Sequence, residues 1–217
     1  MLCYGGVIKG RVTGKIKVLG KGLGHLLAAG AALMLAVPAA GQGFSEGYQF
    51  IQAVKDGDGN KVTDMINASV GNILSTKDRE TGDSALHIVT RDRNLQWIRF
   101  FLGKGARADA QNDDGETPLM LAARIGWVDG AQQLVAQGAN VDLANNRGET
   151  PLIVAVQMRD LPMVRLLMSK GADPKKTDRA AGYAALDYAK RDPRAAVILK
   201  ELETPSAKPK QVMGPGL

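Results

Sequence analysis

Asn112-Asp-Asp-Gly-Glu-Thr-Pro-Leu-Met-Leu-Ala-Ala-Arg-Ile-Gly126 is answered 33 residues further on by Asn145-Asn-Arg-Gly-Glu-Thr-Pro-Leu-Ile-Val-Ala-Val-Gln-Met-Arg159. The phrase common to both, Gly-Glu-Thr-Pro-Leu, begins at Gly115 and again at Gly148. A fixed interval of this size is the mark of a stacked-repeat solenoid, in which no unit can bury its apolar side alone and each leans on its neighbours.

The register runs beyond these two copies. Gly82, Gly115, Gly148 and Gly182 fall at steps of 33, 33 and 34 residues, and Gly105-Ala106, Gly138-Ala139 and Gly171-Ala172 form a second series at steps of 33. Each member of the second series follows an apolar stretch and reads as a helix C-cap. Leu86, Leu119, Leu152 and Leu186 recur at one phase and predict the same buried slot in successive layers. Thr117 and Thr150 read as N-caps, because a hydroxyl there accepts from a free first-turn amide. Pro118 and Pro151 follow at the first helical position, where a missing N–H costs nothing. Ala122, Ala123 and Ala155 keep the first helix slim, while Leu134, Val135, Leu166 and Leu167 are expected to close each layer from the second helix.

With these residues on the page, Asn112 to Gly126 resembles the ankyrin repeat pattern almost position for position, and the resemblance extends over Asp78 to Asp178. It implies a hairpin-like loop, two antiparallel helices and a turn per repeat. The expected fold is therefore an all-α ankyrin-repeat solenoid of about five stacked helix pairs with projecting loops. Its expected divisions are 44–77 (an N-terminal capping pair), 78–111, 112–144, 145–177 and 178–203 (a C-terminal capping repeat). The outer repeats depart from the pattern, as terminal layers with one uncovered face tolerate weaker signals. Ser84-Ala85 stands for Thr-Pro in the first, and Ala184-Ala185 removes the capping hydroxyl from the fourth. Asp78 to Gly82 and Asp178 to Gly182 are each one residue longer than Asn112 to Gly115, which predicts loop tips of different shape.

The first forty residues carry a different signal. Lys9, Arg11, Lys15, Lys17 and Lys21 precede an uncharged apolar run, Leu26 to Val37, and then Ala39-Ala40-Gly41. This reads as a secretory signal peptide over 1–41, cleaved after Ala39 or Gly41. A retained anchor fits less well, since a span needs about 20 apolar residues. The expected localisation is periplasmic or secreted. Residues 204–217, with three prolines, two glycines and two lysines, read as a disordered tail.

The leader holds five of the 28 basic residues and none of the 22 acidic ones, leaving 23 basic against 22 acidic. The basic balance of the whole chain is thus no nucleic-acid footprint. Loss of the leader also removes Cys3 and His25, so zinc sites and thiol catalysis have no residues to use, and no cofactor is expected. Ser84, His87 and Asp83 or Asp92 are the residue types of a hydrolytic triad. The resemblance instead implies a structural histidine at His87, bonded to neighbouring loop backbone. Asp113, Asp114 and Glu116 lack the spacing and ligand number of a calcium loop.

The resemblance places partner contacts on loop tips and on the exposed side of the first helices. In the second repeat these slots hold Asp113, Asp114, Glu116, Arg124 and Ile125, with Trp127 just beyond; in the third they hold Asn146, Arg147, Glu149, Gln157 and Met158. Mixed charge with a few apolar members suits another protein better than a polyanion. The sequence therefore predicts an exported, monomeric, non-enzymatic binding module with no stable membrane insertion. An enzyme-accessory or catalytic role, with the repeats as a substrate platform, is the competing reading.

Overall fold

The structure, a computed structural model, describes residues 45–69 and 72–203; the leader and the tail lie outside the described residues. The described residues form ten α-helices and no strand. They are α1 (Glu46–Lys55), α2 (Gly59–Ala68), α3 (Ala85–Arg91), α4 (Leu95–Gly103), α5 (Pro118–Arg124), α6 (Val128–Ala136), α7 (Pro151–Gln157), α8 (Leu161–Ser169), α9 (Ala185–Arg191) and α10 (Ala196–Glu203). Short 3₁₀ turns at Ile73–Ser75 and Pro193–Ala195 complete the set.

Successive helices pair as antiparallel hairpins, and the pairs stack. One row runs α1, α3, α5, α7, α9 and a second runs α4, α6, α8, α10. The inner row is short and its central members are buried on nearly every side: all residues from Pro118 to Ala123 and from Pro151 to Val156 are buried. Such helices lack a polar stripe because a neighbour packs on each flank.

Local signals set the ends. Thr117 accepts from the Met120 amide at 3.2 Å and Thr150 from the Ile153 amide at 3.3 Å, with Pro118 and Pro151 opening the helices. The outer helices close with a complete Schellman turn. Gly105, Gly138 and Gly171 take φ of 91°, 88° and 87°, and the following alanines donate back to Phe101, Leu134 and Leu167.

Leu86, Leu119 and Leu152 are buried in one slot, but Leu186 is only half-buried. No further layer among the described residues covers its flank. Leu134 and Leu167 close their layers, whereas Val135 and Leu166 lie half-exposed on the outer row. Their places in the core are taken by Ala131, Met163 and Val164. The first layer is closed by aromatics: Phe101 meets Phe50 edge-on at 6.3 Å and stacks on Trp97 at 5.2 Å.

Candidate functional site

The loops preceding each inner helix build one continuous edge. Asp113 donates its amide to the Thr81 carbonyl at 3.2 Å, Asn146 to Asp114 at 3.0 Å and Arg179 to Arg147 at 2.8 Å. The same backbone bond thus recurs between every neighbouring pair of loops. It is possible only because the underlying residue is glycine. A methyl group on Gly115 would lie 2.7 Å from the Asn146 nitrogen, and one on Gly148 would lie 2.6 Å from the Arg179 nitrogen.

The longer loops of the first and fourth repeats do differ in shape. Asp78 N–H bonds Asp83 C=O at 2.8 Å and Asp178 N–H bonds Tyr183 C=O at 3.0 Å, one residue wider than the Asn112–Glu116 and Asn145–Glu149 bonds, both at 3.0 Å. The extra residue widens the hairpin and leaves an isolated antiparallel bridge in each, Lys77 with Ser84 and Thr177 with Ala184.

A second periodic bond ties each loop base to the far end of its own inner helix, eight residues on. Asp83 pairs with Arg91 at 2.7 Å, Glu116 pairs with Arg124, Glu149 accepts from Gln157 at 3.4 Å, and Tyr183 accepts from Arg191 at 2.7 Å. The residue types change while the brace persists. Glu149 also takes Asn145 at 2.8 Å and Arg147 at 2.8 Å. Burial alone would raise its carboxyl, but these donors outweigh it and hold the group below its ordinary range.

This arrangement sorts the residues expected at the interface. Asp113, Asp114, Asn146, Arg147 and Met158 are exposed along the edge. Glu116, Arg124, Glu149 and Gln157 are half-buried and held by the braces, so they shape the surface from beneath. Ile125 is half-buried, and its carbonyl accepts from Arg93 of the preceding repeat at 2.6 Å.

Trp127 is half-buried and lies over Gly130 of its own helix, where any side-chain carbon would collide with the indole. Gly130→Ala is therefore expected to displace the ring. In a Trp97→Phe background the remaining tryptophan emission should shift to the red, with a stability loss of about 1 kcal/mol. Unchanged emission would show that the indole does not need the space.

His87 is fully buried and both ring nitrogens are committed. Nδ1 accepts from the Ser84 amide at 3.2 Å and lies 2.8 Å from Ser84 Oγ, while Nε2 donates to the Glu116 carbonyl of the next repeat at 2.8 Å. Asp83 is turned to Arg91 and to Asn112 Nδ2, 2.9 Å away. The ring is thus a strut between two repeats. Desolvation holds it below its ordinary value of 6.5, with the Glu116 carbonyl acting against that.

One constellation was not foreseen. In the fourth repeat Tyr183 and Tyr188 meet edge-on at 5.7 Å, and the Arg191 guanidinium sits 4.5 Å from the Tyr183 ring centre. Tyr188 donates to the buried Asp178 at 2.5 Å, which pushes the phenol up to about 12. The missing signal was positional: Tyr183 occupies the slot that Glu116 and Glu149 hold in the better-matched repeats, and Tyr188 lies one turn into a helix with no Thr-Pro start.

Residues 86–178 match the family model for ankyrin repeats, in three copies. This segment is an ankyrin repeat array. The match begins at Leu86, just inside α3, and stops at Asp178, before α9. The match thus takes in both Thr-Pro helix starts and nearly all of the α3–α4 pair, while α1, α2, α9 and α10 fall outside the matched span. Ankyrin repeats generally serve as protein–protein interaction modules. Their loop edge and inner helices here present an open strip, and no three His, Cys, Asp or Glu side chains among the described residues gather to hold a metal. No helix among those residues is long and apolar enough to cross a membrane.

Proposed function

We propose that this chain is an exported, non-enzymatic scaffold that binds another protein along the loop edge and the adjoining inner-helix surface, as a monomer in the periplasm or outside the cell. The observation that carries the reading is the continuous bonded edge, whose exposed tips Asp113, Asp114, Asn146 and Arg147 are rigidly spaced while Met158 stands 46% exposed beside them. Prepaid order of this kind lowers the entropic cost of association. Export rests on the basic and apolar order of the leader from Lys9 to Val37.

Cross-linking capture with the full chain, in cells that express it, tests the proposal. A specific protein partner is expected for the unaltered chain. Asp113→Lys with Asp114→Lys, or Met158→Glu, should weaken capture about tenfold without altering the melting curve, because all three side chains point away from the core. Capture that is indifferent to these changes would sink the strip as the binding surface. A reporter fused to residues 1–41 that stays in the cytoplasm would sink the export reading.

A further inference from the structure

We infer that the strip has its energetic anchor at the fourth repeat, where Tyr183, Tyr188 and Arg191 with the loop arginine Arg179 form a seat for an acidic segment of a protein partner carrying an apolar side chain. The inference rests on the protein-binding reading above and adds where the grip lies and what it holds.

Three observations converge. The first is continuity. The Arg179 side chain lies against Gly148, and its amide is bonded to Arg147, so the two loop tips are adjacent. Gln157 reaches Tyr188, Tyr188 meets Tyr183, and Tyr183 carries Arg191. Exposed Met158 is the next residue after Gln157. Tyrosine and arginine are the side chains most often found at energetic centres of interfaces, and Met suits an adaptable apolar contact.

The second observation is the sign of the unspent charge. Nearby carboxylates are already occupied: Glu149 by Asn145 and Arg147, Asp178 by Tyr188 and the Ala181 and Gly182 amides, Asp187 by the Ala184 amide, and Asp192 by Arg159 and Arg194. Among the described residues Arg179, Lys190 and Arg191 have no carboxylate partner, and all three are exposed. A guanidinium over a tyrosine face still offers its edge N–H groups to an incoming carboxylate.

The third observation is polarity along the array. Residues 45–144 hold ten basic and fourteen acidic side chains, while residues 145–203 hold eleven basic and eight acidic. An acidic segment is thus drawn to one end and repelled from the other, which fixes its position on an otherwise repetitive surface. The same gradient disfavours a long polyanion, which would have to cross the Asp113 and Asp114 tips.

Selection of a short random-peptide library on the immobilised full chain tests this. Enriched peptides are expected to be rich in Asp and Glu around a Leu, Phe or Tyr. Their affinity should fall about tenfold on Arg179→Glu with Arg191→Glu and hold within about twofold on Lys61→Glu with Arg107→Glu, the same change of charge at exposed positions away from the strip. Both double variants alter exposed side chains, and unchanged thermal melts confirm the fold in each. Basic or uncharged winners, or winners kept on the Arg179 and Arg191 variant or lost equally on the Lys61 and Arg107 variant, overturn this inference and leave the binding strip standing. No enrichment at all overturns both. Oligothymidylate binding more tightly than the best peptide overturns the protein-segment assignment in favour of a nucleic acid.

Discussion

Gly115→Ala is expected to lower the unfolding free energy by about 2–4 kcal/mol, read from the urea midpoint. Two costs combine. The residue sits at φ 75°, a region that strains any side chain, and the added methyl meets the Asn146 nitrogen at 2.7 Å. Relief requires the next loop to retreat, which breaks the 3.0 Å bond from Asn146 to Asp114. Gly182 is the internal control. It has a comparable φ of 69°, yet nothing among the described residues lies within 4 Å of an added methyl. Gly182→Ala should therefore cost only about 1 kcal/mol, the conformational part alone. Equal losses at the two sites would show that loop crowding contributes nothing and that the bonded edge is incidental.

His87→Ala should cost about 3 kcal/mol, since it opens a cavity and strands two bonded groups. The Ser84 amide loses its acceptor, and the Glu116 carbonyl loses its donor across the repeat boundary. The same residue sets a pH dependence. Its folded pKa lies below the ordinary 6.5, so the unfolded chain takes up a proton first. Stability is complete above about pH 6.5 and declines as pH falls, by at most about 1.4 kcal/mol per unit, until the folded pKa is reached. Carboxylates held low, such as Asp178, where Tyr188 and backbone amides outweigh burial, act only below about pH 5. Denaturation of the two proteins between pH 7.5 and 5 separates these windows. The decline should vanish in His87→Ala, and an identical slope in both would refute the assignment.

The layer plan was legible because it is written in backbone requirements that few residues satisfy. Thr-Pro at a helix start and Gly at a left-handed turn each exclude most alternatives, and their spacing delivered the helices around Leu119 and Leu152. His87 as a strut was likewise readable through the resemblance. The braces were not. Glu116 and Arg124 were singled out as candidates for a partner, yet they hold each other, because a separation of eight residues spanning a loop and a helix has no local signature. Trp127 shows a similar limit, since only the bare flank of Gly130 makes room for it. The tyrosine pair escaped notice because the fourth repeat breaks the pattern there, replacing the usual brace acid with Tyr183.

The repeated loop-to-loop bond bears on how such a chain can grow. Each loop takes the same backbone amide from its successor, and each glycine leaves room for the residue that supplies it. A duplicated copy of residues 145–177, inserted after residue 177, would find the same demand on either flank and satisfy it with Asn146 and Arg147 again. Lengthening by tandem gene duplication therefore requires no compensating change along the loop edge.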